Sequence, residues 1–231
     1  MAFLGHSARL RVHHEAPSQA ALAWMALGFE QETATETEVH LTDGQIFVLL
    51  AQGASAPAQL EYVAASLQSV KDKLLAAGQV LDVVSQTEIR FVGPGKLDYL
   101  ITLATPQNVV HRTGDSNAML GYLDSLVVPV EDSDASAVWA QKCGYFIAEA
   151  TGRDIACVDV TDGIWMLSFR EQGIVAPFLH YTADVDSEWV DELVAAFPAA
   201  QIHRDSQGEA VLIVCNMPGN VRIMITNDEI E

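Results

Sequence analysis

Positive charge is scarce in this chain. Its 231 residues hold 12 Lys and Arg against 31 Asp and Glu, a formal net charge of −19. Nucleic-acid binding is disfavoured, because each phosphate contact needs a cation to displace condensed counterions. Cysteine is scarce too: Cys143, Cys157 and Cys215 are odd in number and lack CxxC spacing. That pattern encodes neither a disulfide framework nor a thiolate zinc site, so reduced, mostly buried thiols are expected. No run approaches the ~18 apolar residues of a membrane span. The start, Met1-Ala-Phe-Leu-Gly-His, has neither the basic nor the long apolar region of a signal peptide. A cytoplasmic protein without membrane contact is the expectation. Also missing are a Gly-rich phosphate loop ending in Lys-Ser/Thr and a Gly-x-Ser-x-Gly elbow, which leaves nucleotide hydrolysis and serine-hydrolase chemistry of that type unsupported.

What is present is a hydrophobic share of 50%, enough to bury a real core, and an internal duplication. Thr42-Asp-Gly-Gln-Ile-Phe-Val-Leu-Leu-Ala-Gln-Gly53 recurs as Thr161-Asp-Gly-Ile-Trp-Met-Leu-Ser-Phe-Arg-Glu-Gln-Gly173. Leu60-Glu-Tyr-Val-Ala64 recurs as Leu179-His-Tyr-Thr-Ala183, and Pro94-Gly-Lys-Leu-Asp-Tyr-Leu-Ile-Thr102 as Pro218-Gly-Asn-Val-Arg-Ile-Met-Ile-Thr226. Three matches in the same order point to two homologous domains, 1–105 and 120–231, with the polar stretch 106–119 as linker.

Each half reads as two strand–helix–strands modules. In the second half Tyr122 to Val130 is a β-branched apolar strand, and Asp132, Ser133 and Asp134 offer caps for a helix running to Cys143-Gly144. Asp43-Gly44 and Asp162-Gly163 are the dipeptides of a tight hairpin, whose second residue takes positive φ. A later helix is capped by Ser66 in the first half, with Leu67, Val70, Leu74 and Leu75 on one face, and stops at Gly78. Its counterpart is capped by Ser187, carries Trp189, Leu193, Val194 and Phe197, and is closed by Pro198. A hairpin with Gly93-Pro-Gly95 or Pro218-Gly219 at its turn ends each half.

Four such modules, and the stretch Leu123-Asp-Ser-Leu-Val-Val-Pro-Val-Glu-Asp-Ser-Asp-Ala-Ser-Ala-Val-Trp139 followed by Cys143-Gly-Tyr145, resemble the vicinal oxygen chelate superfamily: glyoxalase I, extradiol dioxygenases, and fosfomycin and bleomycin resistance proteins. Ala23-Trp-Met-Ala-Leu-Gly-Phe29 matches the same helix end in the first half. The resemblance covers nearly the whole chain. It implies an α+β fold of two tandem domains, each a U-shaped mixed sheet of paired βαβββ modules with helices outside.

It also implies a divalent metal inside the sheet, held by His residues on the first strands of two partner modules and a Glu beyond the last hairpin turn, with open positions for a bidentate substrate. In the second half those positions fall on Ser125, His180 and Ile223, so one ligand of three survives. In the first half they fall on His13 or His14, on Glu61, and on Tyr99 or, with a bulge, Asp98. The favoured expectation is therefore a glyoxalase-like or bleomycin-resistance-like protein that binds a small molecule with the metal triad largely lost and no cofactor. The alternative is a metal-dependent lyase or dioxygenase using His14, Glu61 and Asp98.

The duplication itself locates the cavity. Leu60, Tyr62 and Ala64 are kept as Leu179, Tyr181 and Ala183, whereas Gln59, Glu61 and Val63 become Phe178, His180 and Thr182. Side chains alternate across a strand, so one face is retained against helices and the other has diverged toward a ligand. The expected ligand site centres on His180, flanked by Phe178, Thr182, Trp165 and Ser125, with Glu61 its first-half counterpart. Trp165, Phe169 and Phe47 are candidates for an aromatic wall or for core packing; Trp24 and Trp139 are read as core. His13 and His14, being adjacent on a strand, point to opposite faces and cannot both serve one site. The acidic balance keeps the protein soluble. The resemblance to bleomycin-binding proteins implies the sharper reading, attraction of cationic ligands. Glu30, Glu32, Glu36 and Glu38 read as a solvated sheet edge. The expected partner is a small molecule, and a homodimer is the one protein assembly kept open.

Overall fold

A computed structural model describes residues 3–83, 85–105, 108, 119–148, 157–171 and 176–227. The first half runs β1 (Ser7–His14), α1 (Pro17–Ala26), β2 (Glu30–Ala34), β3 (Glu38–Thr42), β4 (Phe47–Gln52), β5 (Gln59–Ala64), α2 (Leu67–Ala76), β6 (Asp82–Val83), β7 (Glu88–Val92) and β8 (Asp98–Leu103). The second runs β9 (Tyr122–Pro129), α3 (Ser133–Lys142), β10 (Phe146–Ile147), β11 (Cys157–Thr161), β12 (Met166–Arg170), β13 (Phe178–Ala183), α4 (Ser187–Ala196), β14 (Gln201–Arg204), β15 (Ala210–Met217) and β16 (Val221–Asn227). Four βαβββ modules are thus present, as the duplication requires.

Each half supplies one eight-stranded mixed sheet, in the order β2-β3-β4-β1-β5-β8-β7-β6 and β10-β11-β12-β9-β13-β16-β15-β14. Two compact units cut across the halves. One holds α2 with β5–β8 and α3 with β10–β12; the other holds α1 with β2–β4 and α4 with β13–β16. The first strand of each half, β1 or β9, begins in one unit and ends in the other. Most of the stretch read as a linker, 106–107 and 109–118, lies outside the described residues.

Local chemistry accounts for the elements. The hydroxyl of Ser66 accepts from Ser69 N to start α2, and Asp132 accepts from Ala135 N to start α3. At α4 the cap is Asp186, accepting from Trp189 N, rather than Ser187, which is the first helical residue. Its buried face accordingly carries Val190 and Leu193. The Asp-Gly hairpins are four-residue loops, not two-residue turns, since Thr42 pairs with Phe47 and Thr161 with Met166. The Asp explains why: the Asp43 carboxylate accepts from both Gln45 N and Ile46 N, and Asp162 from both Ile164 N and Trp165 N. At the last hairpins Gly95 and Gly219 take positive φ, and a Cβ there would collide with Pro129 and Val12 respectively.

The core is aromatic on the retained face. Tyr62 and Tyr145 share a hydrogen bond of 2.7 Å, and Tyr99 stacks on Phe91 at 4.8 Å. Burial pushes the Tyr62 and Tyr145 hydroxyls well above the usual tyrosine range. In the other unit the Tyr181 hydroxyl donates to Asp43 Oδ2 at 2.8 Å. Trp24 is fully buried; Trp139 is half-buried, with its Nε1 donating to Gln79. All five side chains of β2 are exposed, the solvated edge expected of its glutamates.

Candidate functional site

On β13 Leu179, Tyr181 and Ala183 are buried, while His180 and Thr182 are partly open. Phe178 is buried and meets the His180 ring edge-on at 6.5 Å. Parallel pairing sets His180 beside Met224 and Thr182 beside Thr226, so the second strand of this face belongs to β16. His180 joins a three-residue chain. Its Nδ1 lies 3.0 Å from Asp124 Oδ2 and its Nε2 lies 2.9 Å from Thr226 Oγ1. The imidazole is 12% exposed and the Asp124 side chain 28%.

The equivalent strands of the first half build a different chain from the same parts. Arg9 on β1 donates through Nη2 to Glu61 Oε1 at 2.7 Å, and the Thr102 hydroxyl on β8 donates to the same oxygen at 3.1 Å. Glu61 stands where His180 does in the repeat, and Thr102 where Thr226 does. Here every strand residue of β5 is buried, with side-chain exposures of 7% for Arg9 and 0% for Glu61. A buried, hydrogen-bonded ion pair fills this face. Beyond it Arg90 Nε donates to Asp98 Oδ1 at 2.8 Å, Gln59 donates to Asp98 Oδ2 at 3.0 Å, and Asp98 holds the guanidinium above the usual arginine range.

The remaining expected site residues are placed as follows. Trp165 is buried inside the 162–165 hairpin loop, and Phe169 and Phe47 are buried strand residues, so all three are core. Ser125 is buried on β9, one residue beyond Asp124. Ile223 pairs with Leu179 on the fully buried face; counting four residues from the turn lands on the wrong parity, and Thr226 is the residue of that strand that reaches His180. Asp124 and Thr226 were not singled out from sequence, although Asp124 sits in the Leu123-Asp-Ser match and Thr226 closes the last repeated block.

The donor sets bear on the metal that the fold resemblance implies. His14 Nδ1 is occupied by its own loop at Ala16 N, Glu61 by Arg9, and Asp98 by Arg90. Two guanidinium cations against the two carboxylates oppose a divalent cation, and among the described residues no group of three His, Cys, Asp or Glu is arranged to hold one. In the second half Asp124 and His180 have only a neutral hydroxyl as third member, a poor ligand for a first-row divalent ion. The residues do not fit a resident metal in either place. A separate cleft of about 710 Å³, lined by Gly93–Lys96, Pro129–Asp132 and the start of α3, gathers no convergent chemistry. Its Asp132 is committed to capping α3, and its Ser136 bonds back to the Asp132 carbonyl.

Comparison with known proteins gives the fold its class. No family model and no curated protein matches the chain. Among solved structures it is similar to homoprotocatechuate 2,3-dioxygenase from Arthrobacter globiformis, with a TM-score of 0.66 and 12% identity over 97% of this chain and 80% of that one. An extradiol ring-cleaving dioxygenase from B. fuscum gives 0.64 and 12%, over 97% and 72% of the two chains. A catechol 2,3-dioxygenase gives 0.58 and 14%, over 97% and 87%. The chain therefore shares the paired-βαβββ fold of these dioxygenase structures. Identities this low speak to the fold and leave the chemistry to the site.

Proposed function

We propose that the protein binds a small organic molecule on the diverged face of its C-terminal sheet, around His180, Phe178 and Thr182 with Asp124 and Thr226, and that it does so without a resident metal. One observation carries the reading: the polar chain of the second half is partly exposed, at Asp124 above all, whereas Glu61 in its counterpart is fully buried. An imidazole offers a donor and an acceptor, and Phe178 and Met224 supply apolar surface beside it, the usual make-up of a ligand site. Glu61 leaves the site because its carboxylate is satisfied internally. The dioxygenase activity of the neighbouring structures does not transfer, because the donor sets here lack the ligands for it.

The test is a thermal-shift screen of small carboxylates, amines, phenols and aryl esters, since a ligand that binds only the native state raises its melting temperature. Hits whose shift disappears in His180→Ala support the proposal. Hits whose shifts are unchanged in that variant place binding elsewhere. One equivalent of Zn, Mn, Fe or Ni retained by protein purified without chelator overturns the metal-free part.

A further inference from the structure

We infer that Asp124, His180 and Thr226 form an acyl-transfer centre, with Thr226 as nucleophile and small esters as the substrate class. The inference rests on the proposed opening of the C-terminal face. An ionised carboxylate only accepts hydrogen bonds, so Asp124 fixes the proton of the imidazole on Nδ1. Nε2 then holds a lone pair, and at 2.9 Å it accepts the hydroxyl proton of Thr226. Carboxylate, imidazole and hydroxyl in that order are the constellation that activates an oxygen nucleophile, recognised by geometry and not by position in the chain.

The duplication supplies an internal control. At the equivalent hydroxyl, Thr102 donates to a carboxylate that is neutralised by Arg9 and fully buried. That arrangement can neither take up the proton and return it nor meet a substrate. In the second half the central residue is an imidazole, the first-strand residue is a carboxylate, and both reach solvent. The exchange of Glu61 for His180, with the hydroxyl kept, replaces a structural ion pair by an ordered base and its hydroxyl.

In the reaction, Thr226 Oγ1 attacks the ester carbonyl carbon as its proton passes to His180 Nε2. The bond from that carbon to the alkoxy oxygen breaks, and the same proton goes to the departing oxygen, releasing the alcohol and leaving the acyl group on Thr226. Water, deprotonated by Nε2, then displaces the acyl group as a carboxylic acid and restores the hydroxyl. Met224, half-buried beside the imidazole, favours an apolar acyl or aryl portion.

The full chain is treated with p-nitrophenyl acetate and, separately, with phenylmethylsulfonyl fluoride, and the modified residue is located by peptide mass. The expected result is a single adduct on Thr226, with a rate reduced about 10²-fold or more in Thr226→Val and His180→Ala. Asp124→Asn slows modification while Thr226→Ser retains it, and the control Thr102→Val leaves it unchanged. Asp124 is a positioning residue, so in Asp124→Asn the acylation rate falls and its pH profile shifts, while Asp124→Glu restores part of the rate. Modification scattered over surface residues, or an equal rate in Thr226→Val, overturns the inference. If Thr226→Val does not fold, the contrast between Asp124→Asn and Thr226→Ser decides the same question. Screening hits that depend on His180 without any Thr226 adduct remove acyl transfer and leave the binding proposal standing; hits independent of His180 remove both.

Discussion

The two halves of this protein place a polar residue at the same point of the same strand and treat it in opposite ways. Glu61 is 0% exposed and bound to Arg9 and Thr102; His180 is 12% exposed and bound to Asp124 and Thr226. The hydroxyl partner is retained, while the carboxylate stands on β5 in the first half and on β9 in the second. A sealed ion pair contributes to the integrity of its sheet, because removing one partner strands the other in a medium of low dielectric. The partly exposed chain around His180 is the proposed point of ligand contact. A duplicated fold can thus assign structure to one copy of a site and, as proposed, recognition to the other.

The contrast is sharpest in stability. Glu61→Ala leaves the Arg9 guanidinium buried and uncompensated, its Nε and Nη1 having no hydrogen-bond partner among the described residues, and a loss of about 3–5 kcal/mol in denaturant unfolding is expected. Asp43→Ala comes next. It removes the acceptor for two backbone N–H groups and for the Tyr181 hydroxyl, a loss of about 2–3 kcal/mol. His180→Ala sits at the other extreme, with about 1 kcal/mol or less, since both of its partners can turn to solvent. Equal losses in Glu61→Ala and His180→Ala would erase the distinction between the halves.

Two smaller effects follow from titrating groups. Glu171 accepts from the Ser133 N–H and hydroxyl at 2.8 Å each, and those bonds hold its carboxyl below the usual carboxylate range. A folded-state value below the unfolded one gives stability that is present above the unfolded value and lost as pH falls through the folded one. The melting-temperature difference between the wild type and Glu171→Gln should therefore be full near neutrality and shrink progressively as pH falls below about 4. Burial pushes the Cys143 thiol up to about 12 and the Cys215 thiol up to about 11. A thiol-reactive reagent should label the half-buried Cys157 well before the buried Cys143 and Cys215.

The modules, their helices and the diverged face of β13 were legible in the sequence because each rests on local periodicity or on the comparison of one half with the other. The Leu179/Tyr181/Ala183 parity needed only alternation. What was not legible depends on register between strands far apart in the chain. Ile223 was four residues past its turn, yet pairing with Leu179 turns it to the core, and Thr226 meets the imidazole instead. Trp165 looked like a strand residue until Asp162 held the hairpin loop open over four residues. Arg9 gave no sequence signal as a partner of Glu61, since nothing local reports which distant strand lies beside β5.

The most direct measurement is a titration followed by NMR of imidazole resonances. Of the seven histidines, the one whose signals vanish in His180→Ala is thereby assigned. A small molecule that raises the melting temperature of the wild type is then added to ¹⁵N-histidine-labelled protein. The account predicts that the Nδ1 and Nε2 signals of His180 shift with the same saturation as the thermal effect, while His13 and His14 stay fixed. Saturable binding that leaves the His180 signals unmoved would contradict it.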